Sequence, residues 1–396
     1  MTRLIAVLAA VAAALVYAPA AMAATFTVND AGDVGDAGAM SACATAQPGC
    51  TLRAAIRQAN VASTPDTITF AGAGRSPGPL AALDAVTNPL TIDGGGATTV
   101  TFAGTAAGPL IDVHAGDSTL RAITLAGGGS GSMVNLAGGG DRLDTVTVRN
   151  TPGTGVRVAA GSVRVDSARL DGVGGVGIVV SAPNTTISSP DIASGGADGI
   201  QLASDGASVS GGRVHGNAGN GVTITGQNNS VGHVAFFGNG GKAIANGPGA
   251  NGGIAPPQNL RIGPRRPDGS LPLTGTSAAG TVELWSGNPS GGSEPGLVDA
   301  FGVSGDFTYN FATEPAPGTV FATSVTAGGL GSSEFATVAV PNDVGSPVIV
   351  SSRALDTSRV RVDASEPLDP ASVQKEDFTL TMAGVQRTIG SVSVAP

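Results

Sequence analysis

Asp171, Asp191 and His215 stand at intervals that a chain coiling once every 22 residues would gather on one face. In such a coil the two carboxylates lie one turn apart and two residues offset along the strand, roughly 8 Å from each other. That separation falls within the range of about 6.5–9.5 Å that an inverting glycosidase uses to admit a water. Arg149, Arg169 and Arg213 share the same outward columns and would suit an acidic polysaccharide. The same residues also form a plain ladder of opposite charges, with Asp191 between Arg169 and Arg213, and Asp171 above Arg149. Neighbouring cations keep carboxylates ionised, whereas a general acid needs a raised pKa. The row Arg149, Arg169, Asp171, Asp191, Arg213 and His215 is therefore read as a binding face. Asp171, Asp191 and His215 are its catalytic candidates, and none is assigned a catalytic role.

Other chemistry is sparse. Asp30, Asp33 and Asp36 recur every three residues, whereas EF-hand calcium ligands alternate by two. Calcium is thus a weak candidate there, and no other cofactor or metal is expected. His114 and His233 are isolated, and Asn217 and Asn239, 22 apart, predict a short amide stack at turns. Acidic residues outnumber basic ones, 29 to 20, without a Lys/Arg cluster, which argues against a nucleic-acid partner. Aromatics at 4% leave few platforms for stacking sugars or bases.

The elements that must position the row follow from the repeat. Stepping by 22 from Val134 meets Val156, Ile178, Ile200, Val222 and Ile244. A second column runs Leu143, Val165, Ile187, Val209, Val231, and a third Val148, Leu170, Ile192, Val214, Phe236. A fourth is Gly155, Gly177, Gly199 and Gly221, ending in Ala243. β-Branched residues alternating with small or polar ones predict short strands with one face inward. Stacking the same strand at each repeat buries what one strand alone cannot. The expected fold is an all-β, right-handed parallel β-helix of about 22 residues and three strands per turn over 66–253. The glycine column marks a position where a side chain would clash or where φ must be positive.

The N-terminus predicts export. Arg3, an apolar run and the small-x-small pattern Ala21-Met22-Ala23 read as a signal peptide over 1–23, cut between Ala23 and Ala24. In an exported chain the two cysteines, Cys43 and Cys50, are expected to pair. A cap over 24–65 would comprise a strand, the disulfide loop and a helix in "GCTLRAAIRQAN". Leu52, Ala55, Ile56 and Ala59 are placed on the buried face of that helix, and Arg53, Arg57 and Gln58 on the other. After the coil, "GPGANGGIAPPQ" reads as a linker. Alternating segments over 254–341 predict a β-sandwich, and 346–396 is short for a domain of that kind and reads as a partial one.

"GCTLRAAIRQAN" followed by "PDTITF" resembles the N-terminal signature of CSLREA-type secreted bacterial proteins. Cys50, Leu52, Arg53, Ala55, Ile56, Ala59 and Asn60 fit the motif, and Ala54 departs from it where the family has Glu. The resemblance implies a right-handed parallel β-helix, with "VELWSGN" and "SSEF" resembling the Ig-like domains that follow such coils. "SEPLDP" and "EDFTL" look like the start of a bacterial surface Ig-like domain. The expected protein is secreted or displayed at the cell surface, monomeric and without a transmembrane segment. It is structural or adhesive, with an extracellular glycan or cell-envelope component as partner. The alternative is a polysaccharide lyase or inverting glycoside hydrolase on the outer face of the coil.

Overall fold

A computed structural model of the chain describes residues 22–33, 43, 49–61, 64–71, 81–103, 107–266, 270–313, 315–341, 349–364, 373, 378–382 and 385–394. Residues 1–21, Asp36 and the loop residues 44–48 lie outside the described residues.

The 22-residue repeat is a parallel β-solenoid with three strands per turn. The first ladder stacks Ile111–Val113, Val134–Leu136, Val156–Val158, Ile178–Val180, Ile200–Leu202, Val222–Ile224 and Ile244–Asn246 in parallel. The second contains Arg142–Asp144, Arg164–Asp166, Thr186–Ser188, Ser208–Ser210 and Ser230–Gly232. The third contains Thr147–Thr151, Arg169–Val173, Asp191–Ala193, Arg213–His215 and Ala235–Phe237. Upstream, the strands β1 (Thr25–Val28), β2 (Asp66–Phe70) and β3 (Leu90–Phe102) are the earliest rungs, each pairing in parallel with the next. Residues of all three apolar columns fill the interior, from Val134 to Ile244 and from Val148 to Phe236.

Two devices turn the chain at its corners. Left-handed residues recur at each corner, as in Asn150, Gly172, Ser194, Gly216 and Gly238, with φ between 53° and 65°. The glycine column does something else, because none of Gly155, Gly177, Gly199 and Gly221 has positive φ. A Cβ on Gly177 would stand 2.4 Å from the Gly199 carbonyl oxygen and 2.8 Å from a methyl of Ile192. Close approach between turns therefore requires these glycines. A Cβ on Gly221 would meet the Ala243 carbonyl oxygen at 2.6 Å. Ala243 sits on the last turn with no further turn stacked on it, which is why alanine fits there.

Helix α1 (Leu52–Ala59) packs into the same core as Phe26 and Ile68. Thr51 caps it by accepting the Ala54 N–H at 3.1 Å. Leu52, Ala55, Ile56 and Ala59 are buried, and so is Gln58, which the helical pattern placed on the outer face. The segment 81–88 lies along the other flank of the helix, the one that carries Arg53 and Asn60. Arg53 donates to the Ala82 carbonyl at 2.9 Å and to Asp33, and Asn60 donates to the Ala85 carbonyl at 2.7 Å. Cys43 and Cys50 are joined by a disulfide.

The strands over 258–339 are linked by hydrogen bonds into one six-stranded antiparallel sheet. The long hairpin Leu271–Ser286 and Gly296–Phe311 supplies both ends of its core, through Leu271, Leu273, Leu284 and Phe311. This sheet is docked on the last turn of the solenoid. Gly331 bridges Asn229 in parallel, and the Ser332 N–H donates to the Asn229 carbonyl at 2.9 Å. Ser332 Oγ also accepts the Val231 N–H at 2.8 Å. Lys242 pairs with Glu334 at 2.7 Å, and Phe335 meets Phe236 edge-on at 6.1 Å. The stretch expected to be a linker is partly interior, since Asn251 is fully buried and donates to the Ser332 carbonyl at 2.9 Å.

Candidate functional site

The third ladder places Arg149, Arg169, Asp171, Asp191, Arg213 and His215 on one outward face, because alternate residues of a strand point away from the core. Strand register sets the neighbours: Arg169 lies beside Asp191 and Asp191 beside Arg213, while Asp171 lies between Arg149 and Ala193.

Asp191 is the centre of an ion-pair cluster. Arg169 lies 3.4 Å from it, Arg213 3.0 Å and His215 Nε2 3.4 Å. Partial burial would raise its pKa, but the hydrogen bonds and charge of Arg213, then the charge of Arg169 and the His215 contact, outweigh this and hold the carboxyl below its ordinary value. A carboxyl held ionised in this way suits an ion pair or a base rather than a general acid. His215 is stacked on Phe237 with ring centroids 4.4 Å apart and an interplanar angle of 7°. The antiparallel sheet reaches this end of the face, where Glu294 lies 4.0 Å from Arg213 and the Gly291 carbonyl accepts the Gly238 N–H.

The other half of the row is different. Arg149 and Asp171 are neighbours in register, yet no ion pair joins them, and neither pairs with another charge among the described residues. The ladder expected from the sequence thus closes around Asp191 and stays open at Arg149 and Asp171.

The remaining candidates have structural partners. Asp30 accepts the Gly32 N–H within its own turn at 2.8 Å, and Asp33 pairs with Arg53 at 2.8 Å. Among the described residues no three His, Cys, Asp or Glu side chains group to hold a metal ion. His114 lies 2.9 Å from Asp112, and His233 lies 3.4 Å from Glu283. Asn217 and Asn239 stack as an amide ladder, Asn217 donating to Asn239 Oδ1 at 3.0 Å. A second ladder, Asn229 and Asn251, was not anticipated, although its spacing of 22 is written in the sequence.

A cavity of about 380 Å³ opens beside the first ladder, lined by Pro109, Ser130, Ser132, Asn135, Thr154 and Arg157. Asn135 donates to Asp112 at 2.7 Å and leaves its own buried Oδ1 without a partner. Its signal in the sequence is the outward column Asp112, Asn135, Arg157, which the apolar columns flank.

No family model matches the chain, and no curated protein matches it. Among solved structures, the chain is similar to the ORF18 protein of Geobacillus virus E2, at 10% identity over 84% of this chain and 80% of that one, with a TM-score of 0.22. It is also similar to full-length tailspike protein 2 of Escherichia coli O157:H7 bacteriophage CAB120, at 10% identity over 72% of this chain and 65% of that one, with a TM-score of 0.19. Neither superposition is close enough to carry an argument about fold or activity. The class that the geometry itself defines is a parallel β-solenoid with an antiparallel sheet docked on one end. Among the described residues no helix is long and apolar enough to cross a membrane.

Proposed function

We propose that the chain is an exported, non-catalytic rod that binds a glycan along the outer face of its third ladder. Helix α1 closes the N-terminal end of the rod, and the strand-rich C-terminal segments act as Ig-like spacers. The observation that carries this reading is the division of the charged row. Asp191 is held ionised by Arg213 and Arg169, while Arg149 and Asp171 stand side by side without a charged partner among the described residues. An unpaired guanidinium beside an unpaired carboxylate offers donors and acceptors to sugar hydroxyls, and Arg149 suits a uronate. The polysaccharide lyase or hydrolase reading is the one this proposal displaces.

The test is a glycan-array screen of the full-length protein, followed by incubation with each bound polysaccharide and chromatography of the products. Binding of one glycan class, acidic polysaccharides first, without chain shortening is the expected result. Cleavage that disappears in Asp171→Ala or Asp191→Ala would replace the rod with an enzyme.

A further inference from the structure

We infer that removal of the leader at the Ala23–Ala24 bond is also an assembly step, in which the new α-ammonium group of Ala24 neutralises the buried carboxylate of Asp66. The Ala24 nitrogen donates to Asp66 Oδ1 at 2.7 Å. Asp66 is 1% exposed, and its Oδ2 is buried without a partner. A peptide N–H offers one proton to a carboxylate that has two acceptor oxygens. An α-ammonium offers three protons and a full charge. Before cleavage, then, the buried Asp66 side chain meets one peptide N–H and leaves Oδ2 without a partner, and after it the same two residues form a charge-assisted pair.

Cleavage adds water across the Ala23–Ala24 peptide bond. The hydroxyl goes to the Ala23 carbonyl carbon and the proton to the Ala24 nitrogen. At neutral pH the released Ala23 carboxyl is ionised and the Ala24 amine takes up a further proton. Ala23 is exposed and Met22 is 87% exposed. The small-x-small pattern Ala21-Met22-Ala23 independently marks the same bond for signal peptidase.

The location explains what the pair would do. Ala24 leads into β1, the first rung, and its carbonyl accepts the Thr67 N–H at 2.8 Å. Asp66 leads β2, so the pair ties the start of the first rung to the start of the second. Along the same corner of later turns, Asn229 and Asn251 fill the equivalent role, each accepting the N–H of the residue one turn before. An asparagine serves where the partner is a peptide N–H. A carboxylate at 66 matches a partner that becomes a cation. Asp141, the other carboxylate of this column, meets only peptide N–H groups, those of Ser118 and Gly138.

Two measurements test the inference. N-terminal sequencing of the secreted protein should begin at Ala24, and any other first residue overturns it. The purified chain beginning at Ala24 is then melted with its α-amine free and with that amine acetylated. Acetylation removes the charge and keeps one N–H, and it should lower the Tm by roughly 5 °C. In Asp66→Asn the two forms should melt together. Equal melting of the free and acetylated wild-type chains overturns the inference, whether or not Asp66→Asn folds.

Discussion

Asp141 is fully buried at an inner corner of the coil, where burial pushes its carboxyl up to about 7. The N–H groups of Ser118 and Gly138 offset part of that, and the nearby charge of Asp117 adds to it. One oxygen accepts the Ser118 N–H at 3.0 Å, and the other has no partner. In the unfolded chain the carboxyl titrates near 3.8. Between that value and about 7 the folded state holds a proton that the unfolded state has released, so stability falls as pH rises through this window. The contribution is full below the unfolded value and gone above the folded one, and amounts to up to about 4 kcal/mol. Asn229 and Asn251 show what suits such a corner, each accepting the preceding turn's N–H through Oδ1 and donating to a carbonyl through Nδ2. Asp141→Asn should therefore raise the Tm by several degrees at about pH 8 and change little at about pH 4. A Tm change that is the same at both pH values would show that Asp141 is not titrating in this way. The lowered carboxyl of Asp191 acts in the opposite sense, lending stability that is lost as pH falls through its depressed value.

The strand and its corner are the scale at which the sequence was most readable. Three apolar columns marked the interior, and the structure buries them. The glycine column was visible too, but two causes were open, and only the geometry between turns shows that close approach is the one at work. Gly177→Ala should cost about 1–3 kcal/mol, because the carbonyl of Gly199 and the side chain of Ile192 both have to give. Gly139→Ala is the control: it also sits at a non-positive φ, and its Cβ would meet nothing closer than 3.7 Å. Chemical denaturation of both variants measures the difference, and equal stability would remove steric crowding as the cause. Gln58 shows where helical periodicity was insufficient. The pattern placed it outside, yet the fold buries it beside Ala54 and Ala55 on the same helix.

At the scale of the molecule the sequence was least informative. The sheet docks on the solenoid through contacts about 100 residues apart, such as Val231 with Ser332, and these leave no periodic mark. A stretch rich in proline and glycine looked like a linker, although Asn251 continues the amide ladder into it. The candidate row was legible in its membership, since strand alternation put all six residues outside. It was not legible in its pairing, because register alone does not decide which side chains reach each other. If the sheet closes the end of the coil, the two unfold together, and calorimetry should give one main transition that Asn251→Ala moves downward as a whole. Two separate transitions, only one of them shifted, would show independent domains.

The most direct measurement compares glycan binding by the wild type, Arg149→Ala/Asp171→Ala and Asp191→Ala, with the Tm of each recorded. If the open half of the row is the binding surface, the double variant loses at least about tenfold in affinity at an unchanged Tm, while Asp191→Ala binds within a few-fold of wild type. Undiminished binding by the double variant, or loss of binding only with Asp191→Ala, contradicts this placement of the ligand.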